Sequence, residues 1–258
     1  MTKICVLASG SKGNAVYVSN EKTAILVDAG LSGTEIERRF QSRNINPNRL
    51  DAIVVSHEHR DHIQGVGVLS RRFRLPVYIN KSTVSEATTQ LGFLHETRIF
   101  NQGTSFSIGD LSVHPFSVSH DAVDPVGFTI QDHSAKIGIA TDLGVGTQLV
   151  CHHLAGCRLV VLEANHDLKM LEDGPYPWPV KQRIRSRLGH LSNEASRDLL
   201  DKVSHSELEH VIVAHVSEIN NQPDRALSVL REAVGRHAFR FSLASQHAAG
   251  DMIILDDA

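Results

Sequence analysis

The segment His57-Glu58-His59-Arg60-Asp61-His62 follows directly on the apolar run Asp51-Ala52-Ile53-Val54-Val55-Ser56. Four strong metal-ligand side chains, His57, His59, Asp61 and His62, therefore stand within six residues, at the end of what reads as a buried strand. On a strand, residues two apart point the same way, so His57 and His59 leave its end together. Asp61 and His62 are then expected where the chain turns into the first turn of a helix beginning Ile63-Gln64-Gly65-Val66. One short segment thus offers two imidazoles to one metal and a carboxylate plus an imidazole to another. The alternative, an idle polar cluster on the surface, is the weaker reading of histidine and aspartate at ligand spacing.

Two metals need more ligands than this segment holds, and the chain offers them at further strand ends. His120 follows Phe116-Ser117-Val118-Ser119, Asp142 follows Ile137-Gly138-Ile139-Ala140-Thr141, and His215 follows Val211-Ile212-Val213-Ala214. A lone histidine at a strand end is usually a satisfied packing residue. Three such endings joined to the first cluster read instead as ligands gathered along one edge of the sheets.

The remaining apolar runs give the organisation. Short strands are expected at Ile4 to Leu7, Ala15 to Val18 and Ala24 to Val27, then a helix near Glu35 to Gln41, the strand before His57, a helix near Ile63 to Arg72 and a strand at Pro76 to Ile79. The second part repeats the plan: strands near Leu111 to Val118, Gly127 to Ile130, Lys136 to Ala140 and Leu159 to Leu162, then helices near Asn193 to Val203 and Pro223 to Val234. Strands cluster ahead of helices in both parts, which suits two sheets packed face to face with helices outside. With 258 residues, 41% of them hydrophobic, and no low-complexity linker, residues 1–258 are expected to form one domain.

A formal charge of −3 argues against a basic nucleic-acid coat, although Lys181, Arg183, Arg185 and Arg187 form a local stripe. That stripe reads as a solvated helix face or as a phosphate-holding one. Cys5, Cys151 and Cys157 show no Cys-x-x-Cys spacing and read as buried thiols of a reducing compartment. The apolar stretch after Met1 is shorter than a signal-peptide core and no run reaches membrane-spanning length, so a cytoplasmic protein with no membrane contact is expected. Trp178, in Gly174-Pro175-Tyr176-Pro177-Trp178-Pro179, is expected to pack beneath a rigid turn rather than to stack on a substrate.

With these residues in hand, the chain resembles the metallo-β-lactamase fold superfamily, whose motif is His-x-His-x-Asp-His followed by distant His, Asp and His. The motifs Ser9-Gly10-Ser11-Lys12-Gly13-Asn14, Glu163-Ala164-Asn165-His166-Asp167, Tyr176-Pro177-Trp178-Pro179, Gly189-His190-Leu191-Ser192-Asn193 and His215-Val216-Ser217-Glu218-Ile219-Asn220-Asn221 look like its YycJ/WalJ branch, similar to ribonuclease Z and the PhnP phosphodiesterases. The resemblance spans nearly the whole chain. It implies an α/β fold, an αββα sandwich of two mixed sheets with helices outside. It further implies His57, His59 and His120 on one metal, Asp61, His62 and His215 on the other, Asp142 bridging them, and Asp28 supporting the ligands. The ribonuclease J insertion and the ribonuclease Z arm are both missing, which speaks against folded tRNA as substrate.

The activity so implied is that of a binuclear, metal-dependent phosphodiesterase acting on nucleic acid, as a DNA exonuclease, with zinc or manganese as the two divalent ions and iron as a third option. Two cations would offset phosphodiester charge and activate a shared water that Asp61 orients. His190 is the candidate general acid, and Glu163 is either the acidic partner that sets its tautomer or an ordinary loop carboxylate. The Ser9–Asn14 loop either approaches a phosphate closely or is a tight turn between the first strands. Rival readings are a small cyclic phosphodiesterase, a thioester or lactam hydrolase, and a regulator whose metals only brace the fold. The expected partner is nucleic acid or another phosphodiester, with a homodimer left open.

Overall fold

The computed structural model describes residues 1–232 and 239–256, and among them the chain forms fourteen strands and ten α-helices. The strands are β1 (Thr2–Ala8), β2 (Ala15–Ser19), β3 (Ala24–Val27), β4 (Ala52–Val54), β5 (Pro76–Asn80), β6 (Glu96–Phe100), β7 (Phe106–Ile108), β8 (Leu111–Ser117), β9 (Val126–Gln131), β10 (Lys136–Ala140), β11 (Leu159–Glu163), β12 (His210–Ala214), β13 (Arg240–Leu243) and β14 (Ile253–Leu255). The helices are α1 (Gly33–Ser42), α2 (Arg60–Ile63), α3 (Val66–Phe73), α4 (Lys81–Glu86), α5 (Thr88–Leu91), α6 (Gln148–Leu154), α7 (Leu168–Asp173), α8 (Trp178–Arg185), α9 (Asn193–Val203) and α10 (Pro223–Arg231). No helix among the described residues is long and apolar enough to cross a membrane.

Two seven-stranded mixed sheets result, ordered β14-β1-β2-β3-β4-β5-β6 and β13-β12-β11-β10-β9-β8-β7. In each, an antiparallel part passes into a parallel part, at β3/β4 in the first and β10/β11 in the second. The alternation of strand side chains explains why so many strands are apolar throughout. Ile4, Val6, Ile25 and Val27 face Phe128, Ile130, Ile137 and Ile139 in the layer between the sheets. Cys5, Leu7, Leu26 and Ile53 face the other way, onto Ile36 and Phe40 of α1 and Val66 and Leu69 of α3. Behind the second sheet, Val160, Leu162 and Val211 meet Leu154 of α6, Leu199 of α9 and Leu230 of α10. The inner strands of each sheet are therefore covered on both faces, and strands buried on both faces read as continuous apolar runs.

The helices follow local rules. The Ser32 hydroxyl accepts from Glu35 N and caps α1, whose Ile36 and Phe40 lie one turn apart and are wholly buried. Deleting the Phe40 ring would cost about 3–5 kcal/mol. The helix expected from Ile63 starts earlier, at Arg60, and breaks before α3. Gly65 causes the break: its N donates to Ala29 O, and a Cβ there would lie 2.4 Å from Leu31 O. The helix expected at Pro223 to Val234 is seen as Pro223–Arg231, and Val234 lies outside the described residues. β6 and β7 were not anticipated, because β6 is an edge strand with four of its five residues exposed and shows no apolar alternation. Of the cysteines, all free, Cys5 and Cys157 are buried but Cys151 is only half-buried.

Candidate active site

Strand ends place the site. Asp28 follows β3, His57 lies three residues past β4, His120 follows β8, Asp142 follows β10, Glu163 closes β11 and His215 follows β12. Three of these turn sharply: Asp28 (φ 59°), Asp142 (φ 56°) and His215 (φ 52°) have left-handed backbone, an uncommon conformation outside glycine. Such strain costs about 1–3 kcal/mol per residue and concentrates at functional sites. Here it aims three polar side chains at one point.

Gly30 joins the two halves of the first sheet's contribution. Its N donates to Asn14 O at 2.9 Å, and Asn14 N donates to Asp61 O at 2.7 Å. A Cβ on residue 30 would lie 1.6 Å from Asp61 O, so only glycine permits this approach. The Asn14 amide also bonds Asp61 Oδ2 at 3.2 Å and His62 Nε2 at 3.0 Å.

Hydrogen bonds behind the rings decide which nitrogens face inward. Ser56 Oγ donates to Asp28 Oδ2 at 2.8 Å, so it accepts from His57 Nδ1 at 2.9 Å and leaves His57 Nε2 with a lone pair. His62 Nδ1 donates to the same Asp28 oxygen at 2.7 Å. His120 Nδ1 donates to Gly189 O at 3.2 Å, which turns its Nε2 to the site. His57 Nε2, His215 Nδ1 and Asp142 Oδ2 are buried without a hydrogen-bond partner. Asp142 sits between the rings, with Oδ2 3.2 Å from His62 Nε2 and Oδ1 3.2 Å from His215 Nδ1 and 3.8 Å from His120 Nε2.

Ligand atoms within 4.8 Å of one another fall into three sets: His57, His59 and His120; His57, His62 and Asp142; and Asp142, Glu163, His190 and His215. The structure thus brings together eight of the nine residues singled out from the sequence. Asp61 stands just outside these sets, with Oδ2 3.7 Å from His62 Nε2. The electrostatics match this crowding. Burial and the neighbouring His62 charge push His57 well down, whereas Asp142, Asp28 and Asp61 overcome burial to hold His62 well above its ordinary range. Burial alone would raise Asp142, but the charges of His215 and His62 keep it ionised.

Glu163 is no ordinary loop carboxylate. It is fully buried, and its Oε1 accepts from His190 Nδ1 at 2.9 Å and Leu191 N at 3.1 Å, while Oε2 accepts from Leu143 N at 3.2 Å. Burial opposes its charge, yet His190 and His215 bring its pKa down to about 2. In return Glu163 raises His190 against the effect of burial. Beside the pair, the buried His166 ring is pushed down to about 4 by burial, reinforced by His190 and Arg185 and only partly offset by Glu163.

Sequence reasoning missed two supports. Ser56 links Asp28 to His57, and its only signal was its place immediately before the histidine motif. The asparagines of three motifs form a clasp: Asn221 Nδ2 donates to Ala164 O, Asn165 O and Asn193 Oδ1, and Asn165 Nδ2 donates to His215 O. This clasp ties β11, the start of α9 and the His215 turn into one unit.

At the rim, Trp178 is 60% exposed, which corrects the expectation that it packs beneath a turn. The reason is that α8 has no buried residue to make a floor for it. Of the four cations there, Lys181 donates to Glu172 O and Arg183 pairs with Asp121, beside His120. Arg185 and Arg187 make no side-chain hydrogen bond or ion pair to the described residues.

Buried imidazole nitrogens with no hydrogen-bond partner among the described residues, gathered around an ionised carboxylate, form a donor set that suits a divalent metal, so the residues present fit such an ion. The comparisons agree. A family model described as the beta-lactamase superfamily domain matches residues 23–216. The chain is 38% identical over 236 residues to the exodeoxyribonuclease YycJ of Bacillus anthracis, covering 91% of this chain and 89% of that protein. It is 38% identical over 223 residues to the exodeoxyribonuclease WalJ of Streptococcus pneumoniae, covering 85% and 83%. The crystal structure of the metallo-β-lactamase fold protein YhfI from Bacillus subtilis superposes with a TM-score of 0.75 over 97% of this chain and all of that one, at 16% identity. The chain belongs to the beta-lactamase superfamily of metallo-β-lactamase-fold hydrolases, and within it to the YycJ/WalJ family. The αββα sandwich read from the sequence is the fold observed.

Proposed function

We propose that this protein is a phosphodiesterase that uses two divalent ions, zinc or manganese, to remove nucleotides from an end of DNA. His57, His59 and His120 would hold one ion, Asp61, His62 and His215 the other, with Asp142 between them. Bound ions would offset the charge of the substrate and make a water acidic enough to attack at neutral pH. The protein's own groups do the rest. Asp61, which accepts from Asn14 Nδ2, would accept a hydrogen bond from the attacking water and orient it. His190, its Nδ1 proton held by Glu163, keeps Nε2 free of hydrogen bonds and its side chain 21% exposed, so Nε2–H can protonate a departing oxygen.

The Glu163–His190 pair set against the ligand cluster is the observation that carries this reading. An alkoxide is a poor leaving group and needs a proton as it departs, whereas a thiolate leaves without one. An acid whose pKa is raised beside the ligands therefore favours phosphodiesters over thioesters. The identity to two exodeoxyribonucleases over most of their length supports DNA as the polymer. Arg185 and Arg187, with Lys181 and Arg183 next to them, would receive the strand's phosphates, and binding through them would weaken with salt.

The test uses protein loaded with zinc or manganese, its metal content measured in parallel. Hydrolysis of bis-p-nitrophenyl phosphate and shortening of end-labelled DNA, without turnover of a thioester, is the expected result. Rapid hydrolysis of 2′,3′-cyclic phosphates with oligonucleotides left intact would overturn the exonuclease assignment and leave the phosphodiester chemistry standing.

A further inference from the structure

Next to Asp61 lies a cleft whose other lining residues the reaction does not use. Ser11, Lys12, Arg60, Asp61 and Gln64 line a space of about 260 Å³ between the Ser9–Asn14 loop and α2. Its wall is shared with the site through Asp61 alone. The space is smaller than the ~300 Å³ at which pockets for whole organic ligands begin. It has ample room for a phosphate.

Its walls are rigid for a surface turn. Asn14 exchanges hydrogen bonds with Gly10, 2.9 Å to its N and 3.1 Å to its O, and Gly13 N donates to Gly10 O at 3.0 Å. Asn14 N then anchors the loop to Asp61 O at 2.7 Å, and Lys12 N anchors it to Gln246 Oε1 at 2.7 Å. The side chains on the cleft are exposed and mostly uncommitted. Ser11, Arg60 and Gln64 make no side-chain hydrogen bond or ion pair to the described residues, and Lys12 has one partner, Glu218, at 2.6 Å. A guanidinium fork, an ammonium, a hydroxyl and an amide are four kinds of donor, and non-bridging phosphate oxygens accept from all of them.

We propose that this cleft binds a phosphate of the substrate strand next to the one that is cut. The inference rests on the nucleic-acid reading above and adds a second contact point on the strand. The phosphate bound could be a terminal monoester or the next internal diester, which share these oxygens.

The experiment compares metal-loaded wild type with Arg60→Ala, Lys12→Ala and Gln64→Ala on three substrates: bis-p-nitrophenyl phosphate, which has no neighbouring phosphate, and one DNA oligonucleotide with or without a terminal phosphate. Each variant's metal content is measured. The expected result is a KM for the oligonucleotide that rises about tenfold more than the KM for the small diester, with Arg60→Lys partly restoring it. If wild type prefers the phosphorylated end and the variants lose that preference, the cleft takes the monoester; if both ends behave alike while the KM gap persists, it takes the internal diester. Equal changes on both classes of substrate, or none, would overturn the cleft and spare the exonuclease reading. Wild type that hydrolyses the small diester and cuts no oligonucleotide overturns both. Should Arg60→Ala lose metal, Lys12→Ala, remote in sequence from the ligands, decides the question by the same comparison.

Discussion

Replacing Gly30 by alanine tests the contact that seats Asp61 without replacing any candidate ligand. The new Cβ would lie 1.6 Å from Asp61 O and 2.6 Å from Asn14 N, whereas real Cβ contacts essentially never fall below 3.0 Å. Both neighbours are main chain, so no side chain can swing away, and one backbone must retreat from the other by more than 1 Å. That movement breaks the buried bonds Gly30 N to Asn14 O and Asn14 N to Asp61 O. Two such losses cost about 2–5 kcal/mol, which for a chain of this size lowers Tm by ~5–15 °C. A shift of that size at Asp61 and His62 should also reduce turnover by about 10²-fold. The assays are thermal unfolding, elemental analysis and hydrolysis of bis-p-nitrophenyl phosphate. Gly30 has no positive φ, so the whole cost comes from the close approach. Gly30→Ala protein with Tm and turnover both equal to those of wild type would refute the argument.

Metal content should approach two ions per chain, with Asp142→Ala losing both; one ion or none in protein prepared without chelator contradicts the binuclear assignment. His190→Ala should keep both ions and lower turnover by on the order of 10²–10⁴, less for a nitrophenolate leaving group, and loss of metal in that variant would make His190 a ligand instead. The buried His166 has a folded pKa of about 4, below that of the unfolded ring. Its stabilising effect is therefore complete above about pH 6.5 and is lost as pH falls through 4, by ~3 kcal/mol. Urea titrations of metal-free protein across that range should show this slope, and His166→Gln should flatten it; an unchanged slope would assign the acid sensitivity elsewhere. Cys5 and Cys157, pushed up to about 11 by burial, should resist alkylation at pH 8 in folded protein and react on unfolding.

Much of the site was legible because its residues stand at the ends of apolar runs. Asp28, His120, Asp142 and His215 each sit where such a run stops, and a strand that stops at a polar residue announces which sheet edge is functional. Glu163 was ambiguous for the opposite reason: it belongs to its strand, and only the fold decides between a loop carboxylate and the partner of His190, 27 residues further on. Trp178 was misread because Pro177 and Pro179 fix the backbone around it but say nothing about whether a floor exists beneath. The start of α2 was missed because Gly65, read as a residue within one helix, is instead the point where the chain presses against Leu31. Edge strands such as β6 carry too little apolar pattern to be read at all.

The pairing of β14 with β1, Thr2 opposite Leu255, bears on the order in which the protein can be finished. Every other strand of that sheet lies within residues 2–100. At ~5–20 residues per second on the ribosome, about 10–30 seconds separate the emergence of β6 from that of β14. During this interval β1, with six of its seven residues destined for burial, presents an unpaired edge. Such an edge is a template for pairing with another nascent chain. Crowded polysomes, more than dilute solution, are where this fold is most exposed to misassembly, and a chaperone that shields residues 2–8 until Ile253 emerges would act on the step that matters.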